Sequence, residues 1–308
     1  MKVAPALPWS RMKPLPSVAL PLLECVLDEN ASSLAWAVDR KTETGVWWDM
    51  VQSFVHRELL GKSVHRYGIS ASYGLDEAGV REAIALGANY IFWSSGKKFL
   101  KTVIKDVVMK DRERFMLATG PMLGYFAGSV RRATERALRA SGSDYLDVVQ
   151  VFWAGRMSAL TQSVIDELVK LRQEGKARAI GVSIHDRKRA AQLAAQGPLD
   201  FFMIRYNAAH PGAEVDIFPN LPPKKPIIAA YTATSWTKLL RPPKGFAGPA
   251  ATAGDCYRFC LTNPHVDLVI SAPKTAAQMR ENMQALAQGP LSDEEMAHMR
   301  ALGKAVHG

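Results

Sequence analysis

The stretch Glu174-Gly175-Lys176-Ala177-Arg178-Ala179-Ile180-Gly181-Val182-Ser183-Ile184-His185 decides the fold of this chain. Gly175 suits the left-handed position that ends a helix over Lys170 to Glu174. Ala179 to Val182 is a short apolar run and predicts a strand of a parallel sheet, buried on both faces. In a barrel of such strands function gathers at the C-terminal ends, which puts Ser183, His185 and Asp186 at the mouth.

Working outward, the same strand-then-helix rhythm runs from Arg57 almost to the C-terminus. Strands are expected near Arg66 to Ser70, Asn89 to Trp93, Phe115 to Thr119, Val148 to Trp153, Ala179 to Ser183, Phe201 to Tyr206, Pro226 to Thr232 and Leu268 to Ala272. Helices are expected between them, among them Leu75 to Leu86, Phe99 to Val108, Val130 to Ala140 and Leu160 to Glu174. In the last of these Leu160, Val164, Leu168 and Leu171 recur at the spacing of a face laid on a sheet. An open sheet this wide would leave long exposed edges, so the units predict a closed α/β (β/α)8 TIM barrel. A capping box at Ser292-Asp293-Glu294-Glu295 opens a further C-terminal helix. The expected organisation is an N-terminal extension over 1–56 and a barrel with its C-terminal helix over 57–308.

The extension differs in composition from the rest. It holds Trp9, Trp36, Trp47 and Trp48, four of the seven tryptophans, with Pro5, Pro8, Pro14, Pro16 and Pro21. An amphipathic helix is expected over Asn30 to Val38, followed by Val46 to His56. Clustered aromatics in a short appendage supply buried area, on the main body or on a partner, and imply no chemistry.

Composition removes several classes of function. With 48% apolar residues among 308, the chain can bury one large core. The net charge of +10 rests on residues such as Arg131, Arg132, Arg136, Arg139, Arg187, Lys188 and Arg189. Their helical spacing reads as solvated helix faces, so no nucleic-acid partner is expected. Cys25, Cys256 and Cys260 are too few for a disulfide framework, which points to a reducing, cytoplasmic setting. Cys256 and Cys260 lie one helical turn apart with only His265 near them in sequence, a pattern of core thiols and not of a metal site. The apolar run Leu15 to Leu27 is short and contains Pro16, Pro21 and Glu24, so neither a membrane span nor a cleaved leader is expected.

The motifs Leu60-Gly61-Lys62-Ser63, Gly87-Ala88-Asn89-Tyr90, Asp144-Tyr145-Leu146-Asp147, Gly175 to Ser183, Tyr206-Asn207 and Gln278-Met279-Arg280-Glu281-Asn282 stand in an order that resembles the aldo-keto reductase family. The resemblance covers about residues 57 to 288 and implies a NADPH-dependent carbonyl reductase, in which a tyrosine donates the proton while Lys, Asp and His tune it. This chain departs at all four positions. Phe92 stands where the family's Asp is expected, Ser94-Ser95-Gly96-Lys97 where Tyr-Gly is expected, Gly120 in place of the Lys and Phe152 in place of the His. A phenyl ring or a glycine has no titratable proton, so the family's tuned acid cannot be assembled from these positions.

For the cofactor the resemblance implies an uneven inheritance. Ser183 is kept, but the family's carboxamide-binding Asn is Ile184 and its Gln on the sixth strand is Met203. Tyr231 matches the aromatic that stacks on nicotinamide, and Lys274, Gln278, Glu281 and Asn282 match the segment that holds the adenosine and its 2′-phosphate. Free amides at a helix start and a nearby cation favour an anion there.

Strand parity sends alternate side chains inward. If Met203 faces in, so does Arg205, whose guanidinium can grip a carboxylate or phosphate or pair with a structural acid. Candidate acids and bases at strand ends are His185, Tyr206 and His210. Trp93, Trp153 and Trp236 lie at or just past strand ends and, with Phe152 and Asn207, are candidates for a substrate pocket for a small-molecule ligand. Three functions compete on these residues. They are a divergent NADPH-using oxidoreductase with Tyr206 or His185 as a new proton donor, a non-redox enzyme that holds an anion through Arg205, and a binding or scaffold protein without chemistry. Arg205, His185, Asp186 and Asn207 would be costly to leave unpaired in a dead pocket, which favours an enzyme.

Overall fold

The computed structural model describes residues 51–70, 74–93, 98–121, 123–156 and 158–307. All belong to the compact unit Arg40–Gly308. The expected helix over Asn30 to Val38, the four N-terminal tryptophans, Cys25 and Ser94 to Lys97 lie outside the described residues.

The eight expected strands form one closed parallel barrel. They are β3 (Tyr67–Ser70), β4 (Tyr90–Phe92), β5 (Met116–Thr119), β6 (Leu146–Ala154), β7 (Ala177–Ile184), β8 (Phe201–Arg205), β9 (Ile227–Tyr231) and β10 (Leu268–Ser271), and β10 closes the ring by pairing with both β9 and β3. The helices outside are α1 (Glu77–Ala85), α2 (Lys98–Asp106), α3 (Ala127–Ser141), α4 (Gln162–Gln173), α5 (Arg187–Gln196), the single turn α6 (Ala213–Asp216), α7 (Ala253–Thr262), α8 (Ala276–Leu286) and α9 (Asp293–His307). Alternation along the strands separates two cores. Tyr90, Met116, Ala118, Val148, Ala179, Phe201, Met203, Ala229 and Leu268 fill the barrel, while Ile69, Val149, Ile180, Val182, Phe202 and Ile228 face the helices.

Side-chain caps start several helices. Thr161 accepts from Val164 N, Asp186 from Arg189 N and Thr275 from Gln278 N. Ser292 and Glu295 exchange hydrogen bonds at the start of α9. Cys256 and Cys260 are buried thiols of α7, and burial pushes both up from the ordinary thiol range. No helix among the described residues is long and apolar enough to cross a membrane.

The sequence did not reveal a hairpin ahead of the barrel, β1 (His56–Leu59) and β2 (Lys62–His65). Its two-residue turn is Leu60-Gly61, with φ of 52° and 74°, the handedness a tight hairpin needs. Leu59 and Val64 join the inner core, so the hairpin plugs the N-terminal end of the barrel. Beneath it Asp147, wholly buried, is ion-paired with Lys62 Nζ at 2.8 Å and accepts from Arg112 Nη2 at 2.6 Å and Leu117 N at 2.8 Å. Lys62 also donates to Phe115 O at 2.7 Å. The motif residues Lys62 and Asp147 are therefore parts of the barrel floor, at the end opposite the strand C-termini.

Candidate active site at the barrel mouth

At the C-terminal ends of β6 to β9 the side chains form a connected arc. Arg205 ends β8 and is paired in register with Tyr231 at the end of β9. The Tyr231 hydroxyl lies 2.7 Å from His185 Nε2, just past β7, with the rings edge to face, and Ser183 on β7 is near enough to pull the phenol pKa down. The His185 ring in turn lies 5.5 Å from that of Trp153. By alternation Trp153 should turn outward after the inward Phe152. A register shift between Val151 and Ala154, with Trp153 at φ 49°, re-aims it toward His185. The Arg156 guanidinium completes the arc, 5.7 Å from the Trp153 ring.

Burial first, then Arg205 and Arg156, hold the His185 imidazole below its ordinary range, so it is neutral at neutral pH. Burial pushes the Tyr231 phenol up to about 12, against the pull of Ser183 and Arg205, so it keeps its proton there. A neutral phenol hydrogen-bonded to a neutral imidazole beside a guanidinium can give up a proton and steady the charge left on an oxygen.

Phe92 and Phe152 stand under this arc, stacked with ring centroids 5.9 Å apart. Gly120 closes the third side, because β5 and β6 approach until a Cβ there would overlap the Gln150 carbonyl oxygen. The Gln150 side chain is wholly buried, and its amide finds no hydrogen-bond partner among the described residues.

Several residues expected at the mouth are elsewhere. Tyr206 follows the last inward residue of β8 and packs between Phe218 and Phe259 in the outer core; its hydroxyl donates to Glu214 at 2.6 Å, so it is not presented as an acid. Trp93 is fully buried in the same outer core. Asn207 is also fully buried, donating to Thr232 O and accepting from His210 N, which ties the ends of β8 and β9 instead of lining a pocket. Asp186 is turned to the start of α5 as its cap. Trp236 is 74% exposed on the loop after β9, where Ser235, Trp236 and Thr237 all have positive φ.

At the start of α8, Lys274 and Glu281 are exposed and Gln278 accepts from Lys274 N at 2.9 Å. Asn282 is buried and donates to Tyr67 Oη at 2.9 Å, within a network that continues through Ser271 to Tyr257, so its amide is already engaged.

Residues 74–224 match the family model described as Aldo/keto reductase family. The chain carries an aldo/keto reductase domain. No curated protein matches it in sequence. Among solved structures it is similar to an aldo-keto reductase of Bacillus halodurans in its holo form, at 20% identity over 81% of this chain and 96% of that one, with a TM-score of 0.67. An aldo/keto reductase from Klebsiella pneumoniae in complex with NADP and acetate is 22% identical over 79% of this chain and 92% of that one, at a TM-score of 0.62. These likenesses fix the aldo/keto reductase fold.

Phe92, Gly120 and Phe152, at which the sequence resemblance expects the family's Asp, Lys and His, stand together beneath the arc. The fourth falls on Ser94 to Lys97, outside the described residues. Of the residues the resemblance sets against nicotinamide, Ile184 is buried toward the helices and Met203 lies in the inner core. Among the described residues no cluster of three or more His, Cys, Asp or Glu side chains could hold a metal ion. Arg156 and Gln150 were missed in the sequence. Parity alone marks Gln150 as inward between Val148 and Phe152, whereas Arg156 gave no signal because its place depends on the bulge.

Proposed function

We propose that the protein is a small-molecule enzyme of oxidoreductase descent, in which the His185–Tyr231 pair serves as the acid–base group and Arg205 holds an anionic part of the ligand. The observation that carries this reading is the 2.7 Å contact between Tyr231 Oη and His185 Nε2 at the mouth, beside Arg205. Tyr231 donates its proton to an oxygen that gains charge, the Nε2–H tautomer of neutral His185 steadies the resulting phenolate by a hydrogen bond until solvent water returns the proton to it, and Arg205 offsets the negative charge nearby.

The family's cofactor fits this chain at one end only. Lys274, Gln278 and Glu281, exposed about the first turns of α8, suit the phosphate and adenosine of NADPH, whereas Ile184 and Met203 offer nothing to a carboxamide. When bound, NADPH would supply a hydride. The apolar ring side favours a second reading, a non-redox enzyme that uses the same pair on an anion. A scaffold without chemistry is disfavoured by the half-buried guanidinium of Arg205, which finds no acid among the described residues.

An assay of the full chain with NADPH and a generic aldehyde tests the reading. Turnover is expected below the ordinary range of roughly 1 to 1,000 per second, and what remains should fall at least about tenfold in Tyr231→Phe and in Arg205→Ala. Ordinary turnover, or a rate indifferent to both substitutions, contradicts it.

A further inference from the structure

The arc at the mouth has a cation at each end. Arg205 closes it at β8, Arg156 closes it beyond β6, and Tyr231, His185 and Trp153 lie between them in unbroken contact. Elsewhere in the barrel, arginines withdrawn from water are saturated. Arg66 donates to the carbonyls of Phe54, Leu261, Val266 and Asp267, Arg112 is held by Asp147, and Arg258 by Glu295. Arg205 is half-buried and Arg156 exposed, and neither forms an ion pair among the described residues. The carboxylate nearest in sequence to His185, Asp186, is committed to the α5 cap. Lys238 adds a third cation on the side of His210.

A half-buried guanidinium without an acid is costly unless a ligand supplies the anion. Arg156 is exposed and costs little in water, but it acts on His185 from the Trp153 end of the arc, so the acid–base pair lies between two unpaired cations and a monoanion on Arg205 leaves the second without a counter-charge. We infer that the ligand of this site carries two separate anionic groups, one for Arg205 and one for Arg156, with an uncharged oxygen between them facing Tyr231 and His185. The chemical class is a short dianion, such as a dicarboxylate or a phosphorylated carboxylate. The planar fork of each arginine favours a carboxylate or phosphate over a halide. This inference rests on the reading of the mouth as an anion-holding site and adds the number and placement of the charges.

The test is calorimetric titration of the full chain, at matched ionic strength, with malonate, succinate and glutarate, and with propionate and butyrate as monoanions. At least one dicarboxylate should bind about tenfold or more tightly than the monoanions. Arg205→Gln and Arg156→Gln should each bring it down to the monoanion level, while Arg132→Gln on the outer face of α3 leaves it unchanged. Dicarboxylates binding no better than monoanions, or a dependence on Arg205 alone, overturns the two-anion inference but leaves an anion site at the mouth. Binding of none of these acids overturns the anion site as well. A circular dichroism spectrum of each variant separates loss of binding from loss of fold.

Discussion

Gly120→Ala is expected to lower the stability of the domain by about 3 kcal/mol or more, as read from urea unfolding. Gly120 sits at the end of β5, where the resemblance expects a lysine, and a single added Cβ would overlap the Gln150 carbonyl oxygen on β6. Backbone is the obstacle, so no side-chain rotation relieves it and the two strands must separate. The consequence for function is sharper than for stability. A lysine cannot be restored at this position by substitution alone, because the strands have closed over the place its stem would occupy. A Gly120→Ala protein within about 1 kcal/mol of the parent would show that β5 and β6 are not held this close.

Asp147→Ala should be comparably severe, about 3 to 5 kcal/mol. Asp147 is wholly buried and receives Lys62, Arg112 and the backbone of Leu117, so its removal leaves two cations and an N–H facing each other below the hairpin. Burial lowers the Lys62 pKa and Asp147 opposes that, so the unpaired lysine would shed its proton more readily. Adding Lys62→Met to Asp147→Ala should recover part of the loss, because one stranded charge is gone. Losses that simply add would mean that the two side chains do not interact.

The barrel was legible because its signals are local. Apolar runs of four to eight residues, helix faces such as Val164, Leu168 and Leu171, and the capping box at Ser292 each act within one element and agree with one another. The hairpin was not legible, since its two short strands carry His56, Arg57, Glu58 and Lys62 and earn their place only by plugging a barrel that must already exist. At the mouth, parity turned Arg205 inward with Met203, because β8 runs regularly to its end. It could not place Trp153 and Arg156, where a register shift breaks the alternation. Tyr206, Trp93 and Asn207 misled because nearness to a strand end says nothing of which core a side chain enters; each lies buried outside the mouth.

The central claim is that this aldo/keto reductase barrel keeps an anion-binding rim while its ring-binding and tetrad positions have turned apolar. Titration of the full chain with NADPH, followed by fluorescence, tests it most directly. Weak binding dominated by the phosphate end is predicted: Lys274→Ala should weaken it about tenfold, equivalent to about 1.4 kcal/mol, and Arg205→Ala should change it little. Tight binding that depends on Arg205, or no binding to the folded protein, would contradict the account.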